Sequence, residues 1–393
     1  MALLDNKGTA SVWAGELEEF YMGSATPPIV TGVTFGYQDL DQWYDVALGK
    51  KKGYIYSRNA NPTVDLLEEK IRVLEKAESA TSFSTGMAAI SNTLYALLAP
   101  GDRVVSIKDT YGGTSKLFLE FLPALHMQVT LCETGNHQDI EAEIAKGCKL
   151  VYLETPTNPT LKVVDIKRLA AAAKKVNAIT VVDNTFATPI NQNPIALGAD
   201  IVVHSATKFL DGHADVLGGL ACGRVTLIRK IHQFREITGA TLHPMSAYLI
   251  ARGMKTLELR IKRQNENAMA IAKSLASHPR VERVNYPGLP GHPGHAFAKE
   301  QMSGFGGMMS FVLKGGYENV KTFLGHLKLA RLAAHLGAVS TIAGPPRTTS
   351  HVELTEEQRA ALGIPESLIR YSVGIENAED LIADIEQALK QLP

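Results

Sequence analysis

Cysteine is scarce: Cys132, Cys148 and Cys222 are the only three in 393 residues, and no two are closely spaced. Neither a disulfide framework nor a zinc site is indicated, and no metal is expected. Net charge is missing as well. Forty basic residues offset forty acidic ones, so no overall field draws the chain toward nucleic acid or an anionic membrane. No apolar stretch approaches the roughly 18 residues that a membrane-crossing helix needs. The opening MALLDNKGTASVWAGELEEF lacks a basic segment followed by an apolar run, which makes a cytoplasmic location the expectation. What remains is an ordinary globular composition, 45% apolar and 20% charged, whose ligand should be small.

The length argues for two or three units. Residues 1–60 show little periodicity, carry Pro27-Pro28 and the basic run Lys50-Lys51-Lys52, and read as an arm that is either frayed or tied down by another surface. From Asn61-Pro62-Thr63 the texture changes. VDLLEEKIRVLEKAE is an amphipathic helix with Leu66, Leu67, Ile71 and Leu74 on one side. Short apolar runs (DRVVSI, QVTLC, KLVYLE, AITVVD, ADIVVHS, GGLACG) then alternate with helical stretches such as LAAAAKKV. Apolar strands separated by helices predict an α/β domain, residues 61–255, built on a mainly parallel sheet covered on both faces. Such sheets seat their ligands at the carboxyl ends of the strands. Residues 256–393 hold long helices, a Pro/Gly/His-rich loop and fewer strands, which predicts a smaller α+β domain.

Polar clusters stand where the strands end. IVVHSATKFLDGH is apolar through Val203, then brings Ser205, Thr207 and Lys208. A lysine there is either a solvated strand-end residue or a Schiff-base nucleophile whose hydroxyl neighbours grip a phosphate. AITVVDNTFATP ends in Asp183, a carboxylate that is costly at a buried strand end unless paired. It either caps the next turn or charges a pyridine nitrogen. Ser84, Thr85 and Gly86 precede a helix, as a plain cap or as a phosphate seat of free amides. Tyr111 stands in the turn of KDTYGGTSKLF, LETPTNPT supplies Glu154 and Asn158, and LIRYSVGIE places Arg370 among apolar neighbours, where its fork wants a carboxylate. None of the six clusters decides alone. Together they fit one cofactor.

In YSRNANPT, STGMAAI, DTYGGT, ETPTNPT, VVDNTF, HSATKFLDGH, GFGGMMSF and LIRYSVGIE the chain resembles, from about Pro27 onward, the Cys/Met-metabolism family of pyridoxal-phosphate enzymes. That resemblance implies the fold type I of PLP-dependent transferases and pyridoxal 5'-phosphate as cofactor. It implies that Lys208 holds the cofactor as a Schiff base and shuttles protons, that Asp183 pairs with the pyridinium nitrogen and that Tyr111 stacks on the ring. Gly86, Met87, Ser205 and Thr207 would hold the phosphate, joined by Tyr56 and Arg58 from a neighbouring subunit. It implies in turn a homo-oligomer with sites shared across a dimer, usually doubled to a tetramer. The substrate, a small amino acid, would meet Asn158, Arg370 and Thr341.

The activity so implied is γ-elimination or γ-replacement on a sulfur amino acid or a homoserine ester. Family members acting on cystathionine resemble one another in acidic residues that meet its distal amino group. Ile55 and Ala334 stand at those places here, which favours a compact apolar thioether, or sulfide adding to an activated homoserine. Cystathionine chemistry and β-elimination of cystine or cysteine are the alternatives. Aminotransfer, or cofactor binding without catalysis, fits less well with Lys208, Asp183 and Arg370 together. Gly113 occupies a turn where methionine γ-lyases usually carry cysteine, Lys116 is the family's basic residue after YGGT, and His335 replaces a serine. His335 is read either as a core histidine or as a contact to lysine or substrate, and STIAGPPRTTSHVE departs from the family's wording.

Overall fold

The computed structural model describes residues 4–352 and 354–393. The first three positions of the expected arm, and Glu353 of STIAGPPRTTSHVE, lie outside the described residues. Seven strands form the larger sheet: β1 (Ser79–Phe83), β2 (Arg103–Ile107), β3 (Gln128–Cys132), β4 (Leu150–Glu154), β5 (Ile179–Asp183), β6 (Ile201–Ser205) and β7 (Gly219–Gly223). Their order is β1-β7-β6-β5-β4-β2-β3. Strands β2 to β6 pair in parallel, while β7 lies antiparallel between β6 and β1. The sheet is mainly parallel, as the alternation of apolar runs and helices predicts. The antiparallel insertion of GGLACG was not legible, and β1 was not foreseen because three of the five residues of SATSF bear hydroxyls.

Helices cover both faces. On one, Leu150, Tyr152, Val181 and Ile201 pack with Ala89, Ile90 and Leu94. On the other, Val151, Leu153 and Val182 pack with Ile140, Ile166 and Leu169. Adjacent strand residues thus serve opposite cores. The helix Pro62–Leu74 starts cleanly, because Asn61 accepts a bond from Thr63 N–H and Pro62 has no N–H to leave unpaired. It buries Leu67 and Ile71 completely, each worth about 1.5–3 kcal/mol relative to exposure.

The smaller sheet has β8 (Val281–Asn285), β9 (Met308–Leu313), β10 (Arg331–Leu332), β11 (Ile342–Gly344) and β12 (Leu368–Ser372), in the order β10-β11-β12-β9-β8. The helix Leu257–Ala276 serves both units: Leu257 and Ile261 belong to the large unit's core, Ala268, Ile271 and Leu275 to the small one's. The change of texture near residue 255 falls at its start.

The amino-terminal segment divides in two. Residues of the first helix, Lys7–Trp13, are held by this chain, since buried Lys70 donates to the carbonyls of Ser11 and Val12 and pairs with Glu16 at 3.2 Å. Farther along, Tyr21 is 79% exposed, Met22 86% and Leu40 75%. Among the described residues no helix is long and apolar enough to cross a membrane, and no cluster of metal ligands occurs.

Candidate active site

The parallel register aligns the carboxyl ends of β4, β5 and β6: Glu154 lies beside Asp183, and Asp183 beside Val203. Side chains that follow these ends therefore converge, and β12 of the small sheet brings Arg370 to the same place. The cavity between them is lined by Thr85, Gly86, Met87, Tyr111, Glu154, Asn158, Asp183, Thr185, Ser205, Thr207, Lys208 and Arg370. Ile90, Phe186, Leu217, Ala334 and Leu336 supply apolar wall, and Thr349 and Ser350 close it from the small domain.

At one end of the cavity the helix Gly86–Leu97 points its amino terminus inward. Thr85 caps it by accepting from Ala88 N–H at 3.0 Å, so the amides of Gly86 and Met87 stay outside the helical ladder. Gly86 must be glycine, because a Cβ there would stand 2.6 Å from the Cβ and 2.8 Å from the Oγ of Ser205. Free amides, a helix start and the Ser205 hydroxyl form a seat for a phosphate. Thr207 lines the cavity too, with its hydroxyl bonded to Gly218 by both donation and acceptance. Gly113 approaches the same region. A Cβ on it would lie 2.8 Å from the Met87 sulfur, so the absence of a side chain in that turn goes with Met87 below it.

Asp183 is only 7% exposed. It accepts from Thr185 N–H at 3.0 Å and Thr185 hydroxyl at 2.6 Å, while the Tyr152 hydroxyl approaches at 3.4 Å. Burial pushes its carboxyl pKa up, against these donors. A buried carboxylate in that position gains from a cationic N–H, such as that of a protonated pyridine. Thr185 also accepts from Ser205 N–H at 2.9 Å and so ties β5 to β6. Its role was missed, although an Asp followed two residues later by Thr is the sequence of a side-chain turn.

Lys208 lies three residues beyond β6, and burial, followed by the positive charge of Arg370, lowers its pKa to about 8. A buried amine so shifted is neutral in about a tenth of molecules at pH 7, far more than an ordinary lysine, which suits a nucleophile and a proton carrier. Arg370 is 4% exposed and bonds Asn158 Oδ1 at 3.4 Å and the His335 carbonyl at 3.1 Å. Those two contacts leave part of its fork for a carboxylate. Burial lowers its own pKa to about 10.

Of the residues singled out in the sequence, Gly86, Met87, Tyr111, Asn158, Asp183, Ser205, Thr207, Lys208 and Arg370 meet in this cavity. Thr341 does not line it: its hydroxyl donates to Glu376 at 2.9 Å and accepts from Gly374 N–H at 3.0 Å. Tyr56 and Arg58 do not reach it within the chain either. They stand on the arm's surface with the guanidinium 5.2 Å from the Tyr56 ring centre. Lys116 is solvent-facing beside Glu120, and Ile55 lies off this chain's cavity. His335 is intermediate: its neighbours Ala334 and Leu336 line the cavity, and its Nε2 is buried with no hydrogen-bond partner. Burial, then Lys208 and Arg370, lower its pKa to about 4, so the ring is neutral.

The model of a family described as Cys/Met metabolism PLP-dependent enzyme matches residues 8–390. An L-methionine γ-lyase of Fusobacterium nucleatum is 45% identical over 388 residues, covering 98% of each chain. A cystathionine γ-lyase of Bacillus subtilis is 46% identical over 345 residues, covering 88% of this chain and 90% of its own. Among solved structures, cystathionine γ-synthase from Xanthomonas oryzae pv. oryzae superposes with a TM-score of 0.93 at 41% identity, covering 98% of both chains.

Proposed function

Because the chain belongs to the family of Cys/Met metabolism PLP-dependent enzymes, we propose that Lys208 carries pyridoxal 5'-phosphate and that the cavity eliminates or replaces the γ-substituent of a small amino acid. The observation that carries this reading is the convergence of a buried amine of lowered pKa, a buried carboxylate and a glycine-only helix start on one cavity. These groups fit the cofactor's aldehyde, ring nitrogen and phosphate in turn. Bound there, it supplies an electron sink that lets protons leave the substrate's Cα and Cβ.

The chain's own residues do the rest. Lys208 Nζ takes and returns those protons, its lowered pKa keeping both forms accessible. Asp183 holds the ring N–H, and Thr185 holds Asp183. The amides of Gly86 and Met87, with Ser205 and Thr207, take the phosphate, and the Tyr111 ring covers the cofactor plane. Arg370 and Asn158 orient the substrate carboxylate. Tyr56 and Arg58 serve the phosphate of a second copy, so the working unit is at least a dimer. The location is cytoplasmic, where free Cys132, Cys148 and Cys222 stay reduced.

The substrate's distal end meets Met87, Ile90, Leu217, Ala334 and Leu336, none of them charged. That wall favours methionine, homocysteine or an O-acyl-homoserine over cystathionine, whose distal ammonium would be left unpaired. Kinship to the Bacillus cystathionine γ-lyase is what speaks for the second reading. A panel of methionine, homocysteine, O-acyl-homoserine with sulfide, cystathionine and cystine, assayed for 2-oxobutyrate, homocysteine and pyruvate, separates them. Methionine or a homoserine ester should lead in kcat/KM. Cystathionine leading by tenfold would reverse the substrate reading, and no product from any γ-substituted amino acid would reject it.

A further inference from the structure

Glu154 lines the cavity at 5% exposure, yet the roles above leave it without a task. Its Oε2 accepts from Tyr111 N–H at 2.7 Å, and the amide of Asn158 also donates to its carboxyl. Placing a second carboxyl beside Asp183 is unfavourable: burial, then the charge of Asp183, drive its pKa well above the usual carboxylate range. The two amide bonds offset part of that cost.

What those amides belong to is informative. Tyr111 is followed by Gly112 and Gly113 and starts the five-residue helix Gly112–Lys116 with no side-chain cap. Two glycines make this a loose turn unless something anchors it. Asn158 is the residue that contacts Arg370. We propose that Glu154 is a positioning residue whose carboxyl fixes the Tyr111 turn and the Asn158 turn to the end of β4, setting the ring that covers the cofactor and the side chain that orients Arg370. The inference rests on the cofactor reading above and goes beyond it in assigning Glu154.

The test compares wild type, Glu154→Asp and Glu154→Gln, each alone and with Tyr111→Ala. The readouts are pyridoxal-phosphate dissociation, the visible circular dichroism of the bound cofactor, and thermal unfolding of the apoprotein. Glu154→Asp keeps the carboxyl group but is one methylene short. It should weaken cofactor binding about tenfold and diminish the visible signal, with no further loss in the Tyr111→Ala background. Glu154→Gln keeps an acceptor oxygen and should stay within about threefold of wild type. Additive effects of Glu154→Asp and Tyr111→Ala would overturn the proposal. So would loss of cofactor and signal in Glu154→Gln with apoprotein melting unchanged, which would mean that charge, not amide acceptance, is what Glu154 supplies. A wild-type protein that takes up no cofactor would instead defeat the functional reading.

Discussion

The strand ends around the cavity and the arm before them present opposite surfaces. At the strand ends, Glu154, Asn158, Asp183 and Arg370 are polar and at most 7% exposed. Along the arm, Tyr21, Met22, Leu40 and Tyr44 are apolar or aromatic and at least 61% exposed. Each region departs from the usual rule of apolar inside and polar outside. The first departs because its charges line a cavity, and the second is what the proposed contact with another copy of the chain would cover. Function is concentrated where the ordinary partition of residues fails.

The contrast can be broken most severely at Lys208. Lys208→Ala should lower kcat by about 10³–10⁴, with the protein still folded by circular dichroism. Turnover at the wild-type rate would remove the amine from the mechanism. Asp183→Asn should cost about 10²–10³ in kcat, because an amide gives the ring nitrogen no charge to pair with. Arg370→Ala should raise KM about 10–100-fold, the worth of a charge-assisted hydrogen bond of about 1.5–3 kcal/mol, and disturb kcat less.

Protonation sharpens the same contrast. Burial, with Arg370 behind it, lowers the Lys208 pKa to about 8, so the neutral amine that attacks an aldehyde appears at lower pH than for a free lysine. Cofactor uptake by apoprotein should rise about tenfold from pH 7 to pH 9 and then level off. A rate still climbing tenfold per unit beyond pH 9 would mean an unshifted lysine. The smallest effect tests the arm. Arg58→Ala and Lys208→Ala chains, each inactive, should on random mixing regain about a quarter of wild-type activity through the intact site of each mixed dimer. No recovery in isolated mixed dimers would place Arg58 outside the neighbour's site.

Much of the large domain was legible because buried parallel strands need unbroken apolar runs, and six of its seven strands announced themselves so. β1 was hidden by its hydroxyls, which face burial on the strength of neighbours that sequence does not display: Ser82 bonds Glu68, and Thr81 meets His232. Asp183 stands out in the sequence because a charge closes its apolar run, Lys208 because it follows one and Arg370 because it stands within one; all three line the cavity. Thr341, expected from the resemblance alone to meet the substrate, has its hydroxyl bonded to Glu376 of the neighbouring GIE turn. The pairing of Glu154 with Tyr111, and of His335 with Arg370, joins residues 43 and 35 positions apart. Only the fold brings them together.

The condensation of Lys208 with an aldehyde cofactor is tested most directly by covalent trapping. Holoprotein reduced with borohydride and digested should yield a single pyridoxyl-modified peptide, with the added mass on Lys208. A colourless protein with no such peptide, or a modification on another lysine, would contradict the account.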